Sequence, residues 1–152
     1  MEHLQNAGVT WQFYQNPTDE YAEDILTQFT KFKFETPQPN NPLYTRGVAR
    51  GSNNSMAAFY EQAMAGTLPQ VSWIIADQEL SEHPPWLPQD GGWIQGQVVE
   101  AVTKGASFQN TALIISYDGQ FAARTYSETS RIKPVSFIST FANFEFRGWR
   151  VV

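Results

Sequence analysis

With 152 residues, 41% of them hydrophobic and 16% charged, the chain is long enough for one domain with an ordinary core and too apolar to be a disordered segment. Its net charge of −5 is the opposite of the basic footprint that non-specific nucleic-acid binding requires. No apolar run approaches the roughly 20 residues of a membrane span, the start "MEHLQNAGVTWQ" lacks the layout of a secretory signal, and the absence of cysteine excludes disulfides and thiolate metal sites.

Taken in chain order, "VTWQFY" (Val9 to Tyr14) is β-branched and aromatic and predicts a short strand. Asn16-Pro17-Thr18 ends it. Ala22, Ile25, Leu26, Phe29 and Phe32 then recur at three- and four-residue steps, which predicts a helix with Thr18 as its cap. The proline-rich "TPQPNNPLYTRG" is expected to be a long surface loop. Ser55 to Ala65 predicts a second helix, stopped by Gly66. "VSWII" (Val71 to Ile75) predicts a buried strand. Asp90 is expected to cap a helix with Ile94, Val98, Ala101 and Val102 on its apolar face and Gly105 at its end. "TALIISY" (Thr111 to Tyr117) predicts another buried strand. Strand, helix and strand in this order form a βαβ unit, so the two strands are expected to be parallel and near-adjacent in an α/β sheet covered on both faces.

That arrangement draws attention to two residues. In open parallel sheets, ligands bind beyond the carboxyl ends of the strands. His83 lies in "SEHPPW", the loop leaving the first strand, and Asp118 immediately follows the second. Both therefore belong to one rim. An aspartate is a hard oxygen ligand for a divalent cation, and an imidazole can donate to a phosphoryl oxygen or move a proton. Spacing alone leaves the plainer alternatives open: Asp118 as a turn former ahead of Gly119, and His83 as a loop histidine with ordinary partners. Glu82 could support His83, though a glutamate in such a loop is more often a solvated charge. Trp73 reads as core. Trp86 and Trp93 read as packing of the loop on the sheet, with an apolar or choline-like pocket as the alternative. His3 is expected to be exposed.

The segment Gly66–Gly119 resembles the phosphoesterase family that contains phosphatidylcholine-type phospholipase C and the related acid phosphatases. The resemblance is carried by "LPQVSWI", "SEHPP", the helix opening "DGGW" and the apolar strand ending in "YD". "GVTWQFYQ" and "NPLYTRG" lie upstream in the matching order, so the likeness extends from Gly8 to Asp118. It implies a partial alkaline-phosphatase-like three-layer α/β/α fold with a mostly parallel sheet, and hydrolysis of phosphate mono- or diesters with a hydroxyl nucleophile and a divalent metal ion. It further implies His83 as a catalytic, phosphate-contacting residue and Asp118 as a metal ligand. The partners implied are a phosphate ester or phospholipid headgroup, and members of the family are often secreted.

Two departures qualify this. The nucleophile region that family members carry near their start has no counterpart here, and Gly119 stands where the family has a second acidic residue. After Asp118 the likeness ends. Residues 119–152 hold five Lys/Arg and only two acids, a basic, aromatic tail on an acidic body. Two units are thus expected: a partial phosphoesterase domain (1–118) and a divergent tail (119–152) poorly integrated into the core, although its apolar alternation near Val135 to Ile138 is compatible with a strand. The functional expectation is a truncated phosphoesterase-like hydrolase with impaired catalysis and a doubtful metal site. The alternative is a non-catalytic phosphate- or headgroup-binding protein. An aromatic-rich carbohydrate- or lipid-binding module ranks below both.

Overall fold

The computed structural model describes residues 1–15, 26, 40–49, 51–82, 85–117 and 136–142, the last seven as backbone. Helix α1 (Glu2–Asn6) leads into β1 (Trp11–Tyr14), and a helical turn at Tyr44–Val48 precedes α2 (Met56–Ala65). Then come β2 (Val71–Ile75), α3 (Pro88–Lys104), β3 (Thr111–Tyr117) and β4 (Ser136–Ala142). The four strands form one sheet in the order β1-β2-β4-β3.

The alternation of side chains along the strands builds two apolar layers. On one face Trp11, Phe13 and Val71 pack with Leu26, and Leu4, Leu43 and Val48 lie against them. On the other, Tyr14 and Ile74 pack with Phe59 and Ala63 of α2 and Val98, Ala101 and Val102 of α3. A fully buried Phe59 or Val98 stabilises the fold by about 1.5–3 kcal/mol relative to an exposed one. Both main helices therefore cover the same face, and the opposite face is closed by α1 and the Tyr44–Val48 turn. The stretch from Asn41 to Val48, "NPLYTRGV", is in this respect more than a surface loop, because Leu43 and Val48 pack against the core. Its polar groups are anchored too: Gln5 Oε1 accepts from Trp11 Nε1 at 3.2 Å and from Arg46 at 3.1 Å.

The helix signals of the sequence are realised with one shift. Ser55 caps α2 by accepting from the Ala58 N–H, and Gly66 closes it with φ 72°. Helix α3 begins two residues ahead of Asp90, at Pro88, because proline suits the first helical turn. Asp90 still serves the terminus, its carboxylate accepting from the Leu87 N–H at 3.3 Å. The helix predicted after Thr18 lies outside the described residues, apart from Leu26, which is buried.

β1 and β2 pair in parallel, with Trp11 opposite Val71 and Tyr14 opposite Ile74. β4 is antiparallel to both β2 and β3, and Ile138 stands between Ile74 and Ile115. β2 and β3 consequently run in the same direction one strand apart, joined through α3, as the βαβ pattern predicts. The mixed α/β class holds, while β4 makes two of the three pairings antiparallel. The expectation that the whole stretch 119–152 is poorly integrated does not hold for 136–142. The inner edges of β2 and β3 carry backbone donors and acceptors that must be paired, and "SFISTFA", rich in β-branched and aromatic residues, supplies a strand that pairs with both.

Candidate functional site

The carboxyl edge of the sheet is formed by the ends of β1, β2 and β3. At the end of β1, Gln15 donates its backbone N–H to the Asn54 carbonyl at 2.8 Å. The buried Asn54 side chain donates in turn to the carbonyls of Phe13 and Arg46. This cross-link ends the strand and ties it to the segments at 46 and 54. The Gln15 side chain is 1% exposed, and among the described residues neither its oxygen nor its nitrogen has a hydrogen-bond partner. An unpaired buried amide costs about 1–3 kcal/mol.

Beyond β2 the chain makes a tight turn at Gln78–Leu80, with the Leu80 N–H bonded to the Asp77 carbonyl and the Ser81 hydroxyl to the Gln78 carbonyl at 2.7 Å. Glu82 follows with φ 62°. It is 7% exposed, and its Oε1 accepts from Gln95 Nε2 of α3 at 2.7 Å. This corrects the reading of Glu82 as a solvated charge. Its signal in the sequence was faint: a glycine, Gly91, and an amide, Gln95, one turn apart on the helix that follows. Trp93 is also corrected, since it is 59% exposed and does not pack the loop onto the sheet. Trp86 is half-buried, with its indole nitrogen unpartnered among the described residues. Trp73 packs against the core cluster of Trp11 and Phe13, and His3 is exposed.

Two tyrosines stand near this edge. Tyr14, fully buried, donates its hydroxyl to Gln62 Oε1 at 2.6 Å. Burial pushes its phenol well above the ordinary range, with the Ser72 hydroxyl working weakly the other way. The Tyr60 phenol is raised by burial and then by the negative charge of Asp77. Both stay neutral at physiological pH, and Tyr14 acts as a hydrogen-bond donor.

The edge is acidic. Asp77, Glu79, Glu82 and Asp90 lie in the stretch from the end of β2 to the first turn of α3, and no Lys or Arg occurs between residues 51 and 103. His83 and Asp118, the two site residues expected from the sequence, lie outside the described residues. Their described neighbours are Glu82 and Tyr117, at the carboxyl sides of β2 and β3, two strands that run the same way. Among the described residues no three histidine or acidic side chains gather into a metal-binding group, and no helix is long and apolar enough to cross a membrane.

The layered sheet, with both main helices on one face and a polar carboxyl edge, defines a mixed α/β domain of the kind that carries its site on strand ends. The model of the Phosphoesterase family matches residues 1–121, and the chain belongs to that family. It is 34% identical to a non-hemolytic phospholipase C of Burkholderia pseudomallei, over 91% of this chain and 23% of that protein. It is 34% identical to a non-hemolytic phospholipase C of Pseudomonas aeruginosa, over 77% of this chain and 16% of that one. It is also 30% identical to phospholipase C A of Mycobacterium tuberculosis, over 77% of this chain and 23% of the relative. The chain thus spans between 16% and 23% of the length of these relatives. No solved structure matches.

Proposed function

We propose that this chain supplies one rim of a phosphate-ester hydrolase site of the phospholipase C type, with His83 contacting the phosphoryl group and Asp118 contributing one oxygen to a divalent metal ion. The observation that supports the reading is the common direction of β2 and β3, after which the described chain reaches Glu82 and Tyr117, the sequence neighbours of His83 and Asp118. The edge's acidity fits the same reading. Asp77, Glu79, Glu82 and Asp90 disfavour a bare phosphate ester, and a cation would reverse that field. When bound, the metal would polarise the phosphoryl oxygens and stabilise the charge that develops on them. His83 would donate to a phosphoryl oxygen or carry a proton to the leaving group.

A single carboxylate holds a hard cation weakly, and phosphoryl transfer through an enzyme nucleophile needs an activated hydroxyl. The 152-residue chain is therefore expected to be a weak or inactive catalyst by itself. The test is hydrolysis of a phosphate monoester and of a phosphatidylcholine-type diester, with and without added divalent metals. The chain and a version extended to the length of the phospholipase C relatives are compared, each with its His83→Ala variant. Metal-dependent turnover in the extended form that His83→Ala abolishes supports the reading. Turnover indifferent to His83 overturns it.

A further inference from the structure

The segment that leads into His83 is held in an unusual way. Glu82 is the only non-glycine residue with a positive φ among the described residues, at 62°. It is also a carboxylate with 7% of its surface exposed. Each of these is unfavourable for glutamate: the left-handed region crowds its Cβ, and burial removes water from its charge. A loop that merely joined β2 to α3 would place glycine at the positive φ and turn the carboxylate outward. Here the glycine is on the helix instead. A Cβ at Gly91 would stand 2.1 Å from Glu82 Cγ and 2.4 Å from its Oε1, so the side chain occupies space that any other residue at 91 would fill. Gln95, one turn further along the same helix, donates to that oxygen at 2.7 Å.

We propose that Glu82 is a positioning residue: its side chain, seated against Gly91 and held by Gln95, latches the segment entering His83 onto the first turns of α3. The proposal rests on the phosphate-ester reading for what His83 does, and on the geometry of Glu82, Gly91 and Gln95 for how its position is set. The sequence restricts residue 83 from the other side as well, because the Pro84 ring limits the backbone choices of the residue ahead of it. The latch and the proline thus constrain the backbone on the two sides of residue 83, the pre-organisation that a phosphoryl contact needs.

The test is amide hydrogen exchange across residues 79–87 of the full chain. Wild type is compared with Gly91→Ala, Gln95→Ala, Glu82→Ala and Glu82→Gln. Gly92→Ala serves as a control, because a Cβ at 92 meets nothing within 4 Å. Gly91→Ala and Glu82→Ala are expected to exchange about tenfold faster in this segment while β2 keeps its protection. Glu82→Gln, which keeps the shape and the acceptor for Gln95, is expected within about threefold of wild type. Unchanged exchange in the alanine variants overturns the latch. So does acceleration of equal size throughout β2, or a Glu82→Gln variant as exposed as Glu82→Ala. In parallel, the His83 ring resonances are followed as inorganic phosphate is added with and without divalent metal. A wild-type ring that ignores phosphate sinks the phosphate-ester reading, and the exchange data then judge the latch independently.

Discussion

Gly105 lies directly against the Ala63 carbonyl: a Cβ at position 105 would stand 2.3 Å from that oxygen. The end of α3 thus touches the last turn of α2 backbone to backbone, although Gly105 itself has an ordinary φ of −70°. The sequence presents Gly105 as a helix stop, while the fold uses it as a spacer. Gly105→Ala is expected to cost about 2–3 kcal/mol, the usual penalty of overpacking where backbone cannot yield. The contrasting variant is Gly96→Ala, at an open position within α3, expected to gain about 0.5–1 kcal/mol from helix propensity. Urea unfolding of the two proteins measures both signs, and a neutral Gly105→Ala would show that the two helices can part.

Tyr14 makes stability depend on alkaline pH. Its folded pKa is raised from the ordinary 10.0, so the native state holds its proton where the unfolded chain loses it. The contribution is complete below pH 10 and is lost as pH rises through the folded value. Tyr60, raised in the same direction, adds to the loss. Tyr14→Phe should flatten the decline in unfolding free energy above pH 10 while lowering stability at neutral pH, where Gln62 Oε1 loses its donor. An alkaline decline as steep as in wild type would mean the phenol is accessible.

Strand β4 bridges β2 and β3, and a proline inside it would remove a ladder donor and clash with the strands on either side. Ile138→Pro is expected to destabilise the domain by about 3 kcal/mol or more. Amides of 136–142 in the unmodified chain should exchange slowly with solvent, like those of β2. Fast exchange there, with β2 still protected, would show that the sheet does not depend on this strand.

Gln15 offers a test of opposite sign. Its buried amide has neither end paired among the described residues, a cost to the fold that an apolar side chain of similar length removes. Gln15→Met is expected to raise stability by about 1 kcal/mol. A loss of that size would reveal a partner for the amide, and the carboxyl edge is then where to look for it.

What the sequence alone determined is local, or follows from chain direction. Apolar spacing located α3, Gly66 marked the end of α2, and the strand-helix-strand order was enough to predict that β2 and β3 run the same way. Those features depend on residues close in the chain, where side-chain period and capping chemistry act directly. The motifs around "SEHPP" and "YD" pointed to the phosphoesterase family for the same reason: they are contiguous. Tertiary structure decided the rest. That "SFISTFA" lies between β2 and β3 depends on two unpaired strand edges far away in sequence, and nothing in its own composition says which partners it will meet. That Glu82 is buried depends on Gly91 and Gln95 being brought opposite it by α3. A charged residue reads as solvated until the fold supplies both the space and the donor that make its burial tolerable.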